Sequence, residues 1–202
     1  MNPAARMLLA NKSWVQEKLS QDPGYFQRFA PGQSPEFLWI GCSDSRIPPN
    51  EITVTSAGEL FIHRNIANLV IADDLNVQSV LQYAVLVLQV PHVIVCGHHG
   101  CGGVRAAMSR ETSGPLDTWL DNIRAVGERH ADELAAITDE GERWDRLVEL
   151  NVRAQIEQLA NSEVIRTAWA RGPRPRLHGW VYGLDDGVLR ELVTVERPVA
   201  GD

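Results

Sequence analysis

Leu60-Phe61-Ile62-His63-Arg64 is followed by Val77, Val80, Leu81, Ala84, Val85 and Leu88 at i, i+3, i+4, i+7 spacing, and then by His92-Val93-Ile94-Val95-Cys96-Gly97. The first and last runs read as strands. The last is the clearest, being rich in β-branched residues and bounded by Pro91 and glycines. The segment between them reads as an amphipathic helix that Asp73 or Asp74 can cap. Strand, helix, strand predicts a parallel crossover.

Working outward, Glu36 to Gly41 reads as another strand, and Leu177 to Tyr182 with Val188 to Val193 as two more around Asp185, Asp186 and Gly187. Near the start, Met7, Leu8, Trp14, Val15 and Leu19 recur at three- and four-residue steps, so an amphipathic helix is expected from Ala4 to about Leu19, ended by Asp22, Pro23 and Gly24. Residues Leu116 to about Trp169 read as helices of mixed polarity. The predicted class is α/β, a mainly parallel β-sheet flanked by helices.

The chain has 202 residues, 44% of them hydrophobic and 22% charged, which suits one well-packed domain over residues 1–202. No repeat, low-complexity tract or long linker marks a boundary within it. A net charge of -7 argues against capture of nucleic acid or anionic lipid, which needs a positive face. No apolar stretch has the length of a membrane span, and the first twenty residues lack the pattern of a signal peptide, so a cytoplasmic protein is expected. Three cysteines, an odd number, suit metal binding or catalysis better than a disulfide framework.

In open α/β sheets ligands gather beyond the carboxyl ends of strands, where Gly41-Cys42-Ser43-Asp44-Ser45-Arg46 and Gly97-His98-His99-Gly100-Cys101-Gly102-Gly103 are both expected. His98 and Cys101 are spaced so that an imidazole nitrogen and a sulfur can reach one ion, and Cys42 can supply a second sulfur. Two thiolates and one imidazole suit zinc and leave the fourth position that a catalytic zinc keeps open. The plain alternative is that these cysteines are small buried hydrophobes, the reading adopted for Cys96 inside its apolar strand. Asp44 and Arg46 flank Ser45 and can pair, and alone they would pass for a loop salt bridge. Near a metal, such a carboxylate can orient a reacting oxygen while the guanidinium keeps it ionised, or it can bind the metal itself. Neither Gly-x-Gly-x-x-Gly nor a lysine-ended phosphate loop is present, nor the signatures of zinc deaminases or metalloproteases.

Cys42-Ser43-Asp44-Ser45-Arg46 followed by His98-x-x-Cys101-Gly102-Gly103 resembles the β-class carbonic anhydrases, bacterial-type. The resemblance runs from about Gln33 to Gly187 and includes residues 58–68 and His178-Gly179-Trp180-Val181-Tyr182-Gly183. It implies one zinc per chain on Cys42, His98 and Cys101, with carbon dioxide and bicarbonate as substrate and product. It implies a homo-oligomer, a dimer or a dimer of dimers, in which an N-terminal helical arm (1–35) packs on a partner subunit and residues 36–202 form the core. Gln33, Phe61 and the backbone of Gly102 would line the carbon dioxide pocket, and Tyr83 would reach it across the dimer interface. Without the resemblance, Phe61 and Tyr83 read as core and Gln33 as a loop residue. Trp39, Gly41, Arg64 and Tyr182 resemble the subgroup in which bicarbonate binds a second, regulatory pocket. The end of the chain at Asp202, sooner than in related bacterial chains, bears on the extent of the subunit interface and not on the chemistry.

The mechanism so implied is zinc-dependent reversible hydration of carbon dioxide. Zinc would lower the pKa of its water from about 15.7 to near neutrality, hydroxide would attack carbon dioxide, and Asp44 would hold the hydroxide in direction. Asp44 lies two residues from Cys42 and can leave Arg46, so a switch is expected in which it ligates zinc and shuts the enzyme off, favoured at lower pH. The resemblance adds bicarbonate as an effector that stabilises this off state. Two rivals share parts of this pattern: a same-fold hydrolase of carbon disulfide, and a non-catalytic zinc or thiol-redox module. His63, His92, His99, His130 and His178 are expected to be structural or surface residues.

Overall fold

The computed structural model describes residues 1–198. The chain divides into two compact units, Met1–Ser34 and Pro35–Asp202. In the first, helix α1 (Pro3–Gln21) begins where Pro3 presets φ and Asn2 Oδ1 accepts the Ala4 N–H at 2.9 Å. None of its residues is buried. Trp14 of α1 and Tyr25, Phe26 and Phe29 after the turn at Asp22 and Gly24 form a series of edge-to-face contacts with centroids 5.0 to 6.2 Å apart.

The second unit holds β1 (Phe37–Cys42), α2 (Pro49–Ile52), β2 (Leu60–Asn65), α3 (Leu75–Gln82), β3 (His92–His98), α4 (Gly102–Ser109) and α5 (Pro115–Arg129). It continues with α6 (Ala131–Ala135), α7 (Glu140–Asn161), α8 (Glu163–Arg171), β4 (Arg176–Tyr182) and β5 (Leu189–Val195). Among the described residues the strands form one sheet in the order β2-β1-β3-β4-β5, with β5 alone antiparallel to its neighbour. The crossover from β2 to β3 is parallel as predicted, but it passes over β1, which lies between them.

The period-two alternation of the strands divides two apolar layers. Leu38 and Ile40 of β1, Val93 and Val95 of β3 and Leu177 of β4 pack with Val77 and Leu81 of α3, Val152 and Ile156 of α7 and Ile165 of α8. Trp39, Ile94 and Cys96 point to the other face, where Phe37, Ile52, Trp180, Tyr182 and Leu189 partly cover them. Asp74, rather than Asp73, caps α3 through Oδ1 and the Asn76 N–H at 2.9 Å.

The helical pattern predicted through Leu88 is present, but α3 ends at Gln82 and the chain continues as a wider π-turn over Tyr83–Val87. The Leu88 N–H bonds to the Tyr83 carbonyl at 2.9 Å, five residues back, and adjacent Ala84 and Val85 are both buried. Periodicity alone does not separate an α-turn from a π-turn over so few residues.

Strands β1 and β3 each run one residue further than predicted, because the parallel ladders continue to Cys42↔Asn65 and His98↔Tyr182. Cys42 and His98 are therefore the last residues of strands, held by the sheet, and not residues of free loops.

Candidate metal centre

The ends of β1 and β3 and the start of α4 bring Cys42, His98 and Cys101 together, with one ligand atom from each within 4.8 Å of the others. All three are buried, and the two sulfurs are 3.9 Å apart. His98 is wholly buried, and its Nδ1 lies 3.0 Å from the His99 carbonyl oxygen. That contact places the hydrogen on Nδ1 and leaves the Nε2 lone pair free. Nε2 has no hydrogen-bond partner, although a buried polar atom ordinarily has one.

The Cys101 thiol beside Cys42 is the largest influence lowering the Cys42 pKa against the effect of burial, and the same contact, together with burial, raises Cys101. One thiol proton leaves easily and the second is opposed. A divalent cation removes that opposition, since both sulfurs can then be thiolates around one positive charge. The donor set, the orphaned imidazole nitrogen and the close sulfurs all fit zinc. Cys96 does not join them. Burial pushes its thiol up, and it donates to the Gly97 carbonyl at 3.3 Å.

Asp44 lies beside this group, its Oδ2 3.8 Å from His98 Nε2. Arg46 grips the carboxylate with both arms, Nε to Oδ1 at 2.9 Å and Nη2 to Oδ2 at 2.7 Å, while the Arg46 backbone N–H adds a third bond to Oδ1 at 3.0 Å. These bonds hold the Asp44 carboxyl far below the usual range. Behind it, Arg64 donates Nε to the Cys42 carbonyl at 2.7 Å and Nη2 to the Asp44 carbonyl at 2.5 Å. One guanidinium thus holds the strand end and the turn that follow from β1.

Residues 37–189 match the family model described as carbonic anhydrase. A carbonic anhydrase of Emericella nidulans is 50% identical over 183 residues, which cover 91% of this chain and 80% of that protein. The chain belongs to the β-carbonic anhydrase family. A carbonic anhydrase of Saccharomyces cerevisiae is 32% identical over 199 residues, covering 95% of this chain and 89% of the relative. Among solved structures, a tetrameric β-carbonic anhydrase of Sordaria macrospora superposes with a TM-score of 0.92 at 44% identity, covering 96% of this chain and all of that one. The Coccomyxa β-carbonic anhydrase in complex with acetazolamide superposes at 0.91 with 37% identity, covering 96% of this chain and 89% of its own.

This carbonic anhydrase is a zinc enzyme by family, and its Cys-His-Cys group can hold one metal ion. Of the other residues singled out by resemblance, Phe61 and Tyr83 stack with ring centroids 5.8 Å apart. Gly102 opens α4, and a Cβ there would meet nothing within 4 Å. Gln33 belongs to the Met1–Ser34 unit and is exposed. Trp39, Arg64 and Tyr182 share one face of the sheet on β1, β2 and β4, with Cys96 of β3 in the row between. Arg64 is already committed to two main-chain carbonyls.

The histidines read as structural do have local partners: His63 with Asn65, His92 with His178, His99 with Glu149 and His130 with Glu133. The sequence reading missed Trp144 and Asp145 of α7, which bond to the backbone of Cys101 and Gly100 at 2.9 and 2.8 Å. Both lie in a polar helical stretch, and a bond to a main-chain atom leaves no mark in the periodicity of either segment.

Proposed function

We propose that Cys42, His98 and Cys101 hold one zinc ion per chain, and that Asp44 and Arg46 carry the carbon dioxide hydration of this carbonic anhydrase. The observation that carries this reading is the wholly buried, unpartnered His98 Nε2 facing two buried thiols. Bound there, zinc supplies the Lewis acidity that makes water a nucleophile near neutral pH.

The protein's own residues do the rest. Arg46 fixes the plane of the Asp44 carboxylate and keeps it ionised, so that its remaining lone pairs accept a hydrogen bond from the reacting oxygen and turn that oxygen toward carbon dioxide. Phe61 offers an apolar side chain suited to a substrate without charge and the Gly102 N–H a donor at the start of α4. Tyr83, which stacks on Phe61 of its own chain, does its part across a subunit interface. The enzyme acts as a homo-oligomer, a reading supported by the Sordaria macrospora structure described as tetrameric and by exposed Met7, Leu8 and Leu9 on α1. Three free thiols suit the reducing cytoplasm.

The same carboxylate also serves as an off switch, since on release from Arg46 it would join Cys42, His98 and Cys101 as a further donor to the metal. Its place two residues from Cys42, and 3.8 Å from His98 Nε2, supports this second role. Bicarbonate at Trp39, Arg64 and Tyr182 favours the off state. Arg64 is the link, since drawing it toward an anion withdraws donors from the Cys42 and Asp44 carbonyls. The effector must bind the off state more tightly, because equal affinity shifts nothing.

Stopped-flow carbon dioxide hydration tests the reading. Activity lost on chelation and restored by stoichiometric zinc in wild type, and lowered about 10²- to 10³-fold in zinc-loaded Asp44→Asn, is expected. Undiminished hydration by the metal-free protein would overturn it.

A further inference from the structure

The peptide group between His99 and Gly100 is bonded at both ends. Its carbonyl oxygen is 3.0 Å from His98 Nδ1, and its N–H donates to Asp145 Oδ1 at 2.8 Å. A carboxylate, a peptide and an imidazole therefore form one hydrogen-bonded series that ends on the unpartnered His98 Nε2. We propose that Asp145 is a positioning residue for the metal, acting through this single peptide group on His98. The proposal rests on His98 being a ligand.

The physics follows from how hydrogen bonds polarise one another. A negative charge at the N–H end of an amide draws electron density toward its carbonyl oxygen, which then accepts more strongly from Nδ1–H. A stronger acceptor at Nδ1 fixes the tautomer and ring orientation and makes Nε2 a better donor to a metal. Metal-binding histidines commonly meet such a carboxylate directly. Here the carboxylate stands one peptide further away.

The packing explains why α7 supplies the group. Gly97, the residue before His98, lies so near this helix that a Cβ on it would sit 2.6 Å from Val152 Cγ2 and 3.3 Å from Val148 Cγ1. That close approach of β3 to α7 brings the preceding turn of the helix level with the residues after His98. Asp145 then meets the Gly100 N–H and Trp144 Nε1 donates to the Cys101 carbonyl at 2.9 Å. Four residues on from Asp145, on the same helix face, Glu149 lies 3.4 Å from His99 Nε2 and is held by Arg146 at 2.7 Å. The two residues between His98 and Cys101 are thus each gripped by α7.

Asp145→Asn keeps an oxygen acceptor for the Gly100 N–H and removes the charge, whereas Asp145→Ala removes both. Zinc affinity is read by chelator competition on purified protein, with the thermal stability of the metal-free form beside it. We expect affinity to fall about 10-fold in Asp145→Asn and further, toward 100-fold, in Asp145→Ala, the range for lost partners of a metal ligand. Wild-type affinity in Asp145→Asn overturns the proposal, as does a loss of metal-free stability in Asp145→Ala with zinc affinity unchanged. His98→Ala separates this from the ligand assignment. Zinc retained at full stoichiometry in His98→Ala removes His98 from the ligand set, whereas zinc lost there but held normally by both Asp145 variants removes only Asp145.

Discussion

Asp44 Oδ2 lies 3.8 Å from His98 Nε2 while the same carboxylate is gripped by Arg46 through two side-chain nitrogens. The carboxylate is therefore held at the edge of the metal group by a residue that is itself largely exposed, with 57% of its side chain accessible. An exposed ion pair of this kind contributes little to stability, so its value is in orientation. Arg46→Ala and Asp44→Asn should each lower turnover about 10²- to 10³-fold, the scale of one lost preorganised electrostatic contact, with zinc still bound. Normal hydration rates with zinc retained would reduce the pair to a surface contact.

Metal content should depend on Cys42, His98 and Cys101 and not on the nearby Cys96. Cys42→Ser, Cys101→Ser and His98→Ala should be isolated without stoichiometric zinc, whereas Cys96→Ala should retain it, since the Cys96 thiol points to its own carbonyl neighbour Gly97. Elemental analysis decides between these outcomes. A full complement of zinc in Cys101→Ser would sink the ligand set.

Trp39 constrains the strand residue beside the site. A Cβ added at Gly41 would sit 2.4 Å from Trp39 Nε1 and 3.2 Å from its Cδ1, and Trp39 is itself buried. Gly41→Ala should therefore cost roughly 1–3 kcal/mol of stability through overpacking and weaken zinc retention at the adjacent Cys42. Denaturant unfolding and metal analysis measure the two effects, and unchanged values for both would contradict this packing.

The His92–His178 pair gives the fold its own acid sensitivity. His92 Nδ1 and His178 Nε2 are 3.0 Å apart. Burial, with Arg176 and Arg174 near His92 and with His92 and Arg176 near His178, lowers both pKa values, while Glu36, Glu191 and Glu196 pull the other way. A histidine whose folded pKa is depressed takes its proton first in the unfolded chain, so stability falls as pH drops below the unfolded value of about 6.5. The Tm should decline from about pH 7.5 to about 5.5, and more shallowly in His178→Gln. Identical slopes for the two proteins would show that the pair contributes nothing.

The proposed switch predicts a response to bicarbonate that depends on residues distant from the reacting atoms. Trp39→Phe and Tyr182→Phe should retain hydration at high pH and lose part of the inhibition by bicarbonate at lower pH, where wild type passes into its off state. Pre-steady-state rates across the pH range measure this. Profiles that coincide with wild type, together with an Asp44–Arg46 pair intact in crystals at low pH, would leave the enzyme without the switch.

Much of this protein was determined locally. The alternation of Leu38, Trp39, Ile40 and Gly41, the β-branched run before His98 and the apolar spacing of Val77, Val80, Leu81 and Ala84 each report which side of an element meets the core, because burial follows the period of the backbone. The ligand types and the two-residue spacing of His98 and Cys101 are equally local, and so is the Asp44-Ser45-Arg46 pairing. Tertiary structure decided which segments meet. Nothing in residues 60–97 says that β1 lies between β2 and β3, yet that order is what brings Cys42 to His98. Nor does the sequence reveal that Arg64 holds the Cys42 and Asp44 carbonyls, or that Trp144 and Asp145 hold the segment from Gly100 to Cys101. Side chains that bond to main-chain atoms select their partners by position alone, since every residue carries a carbonyl and all but proline an N–H, and position is set by the packing of the whole domain.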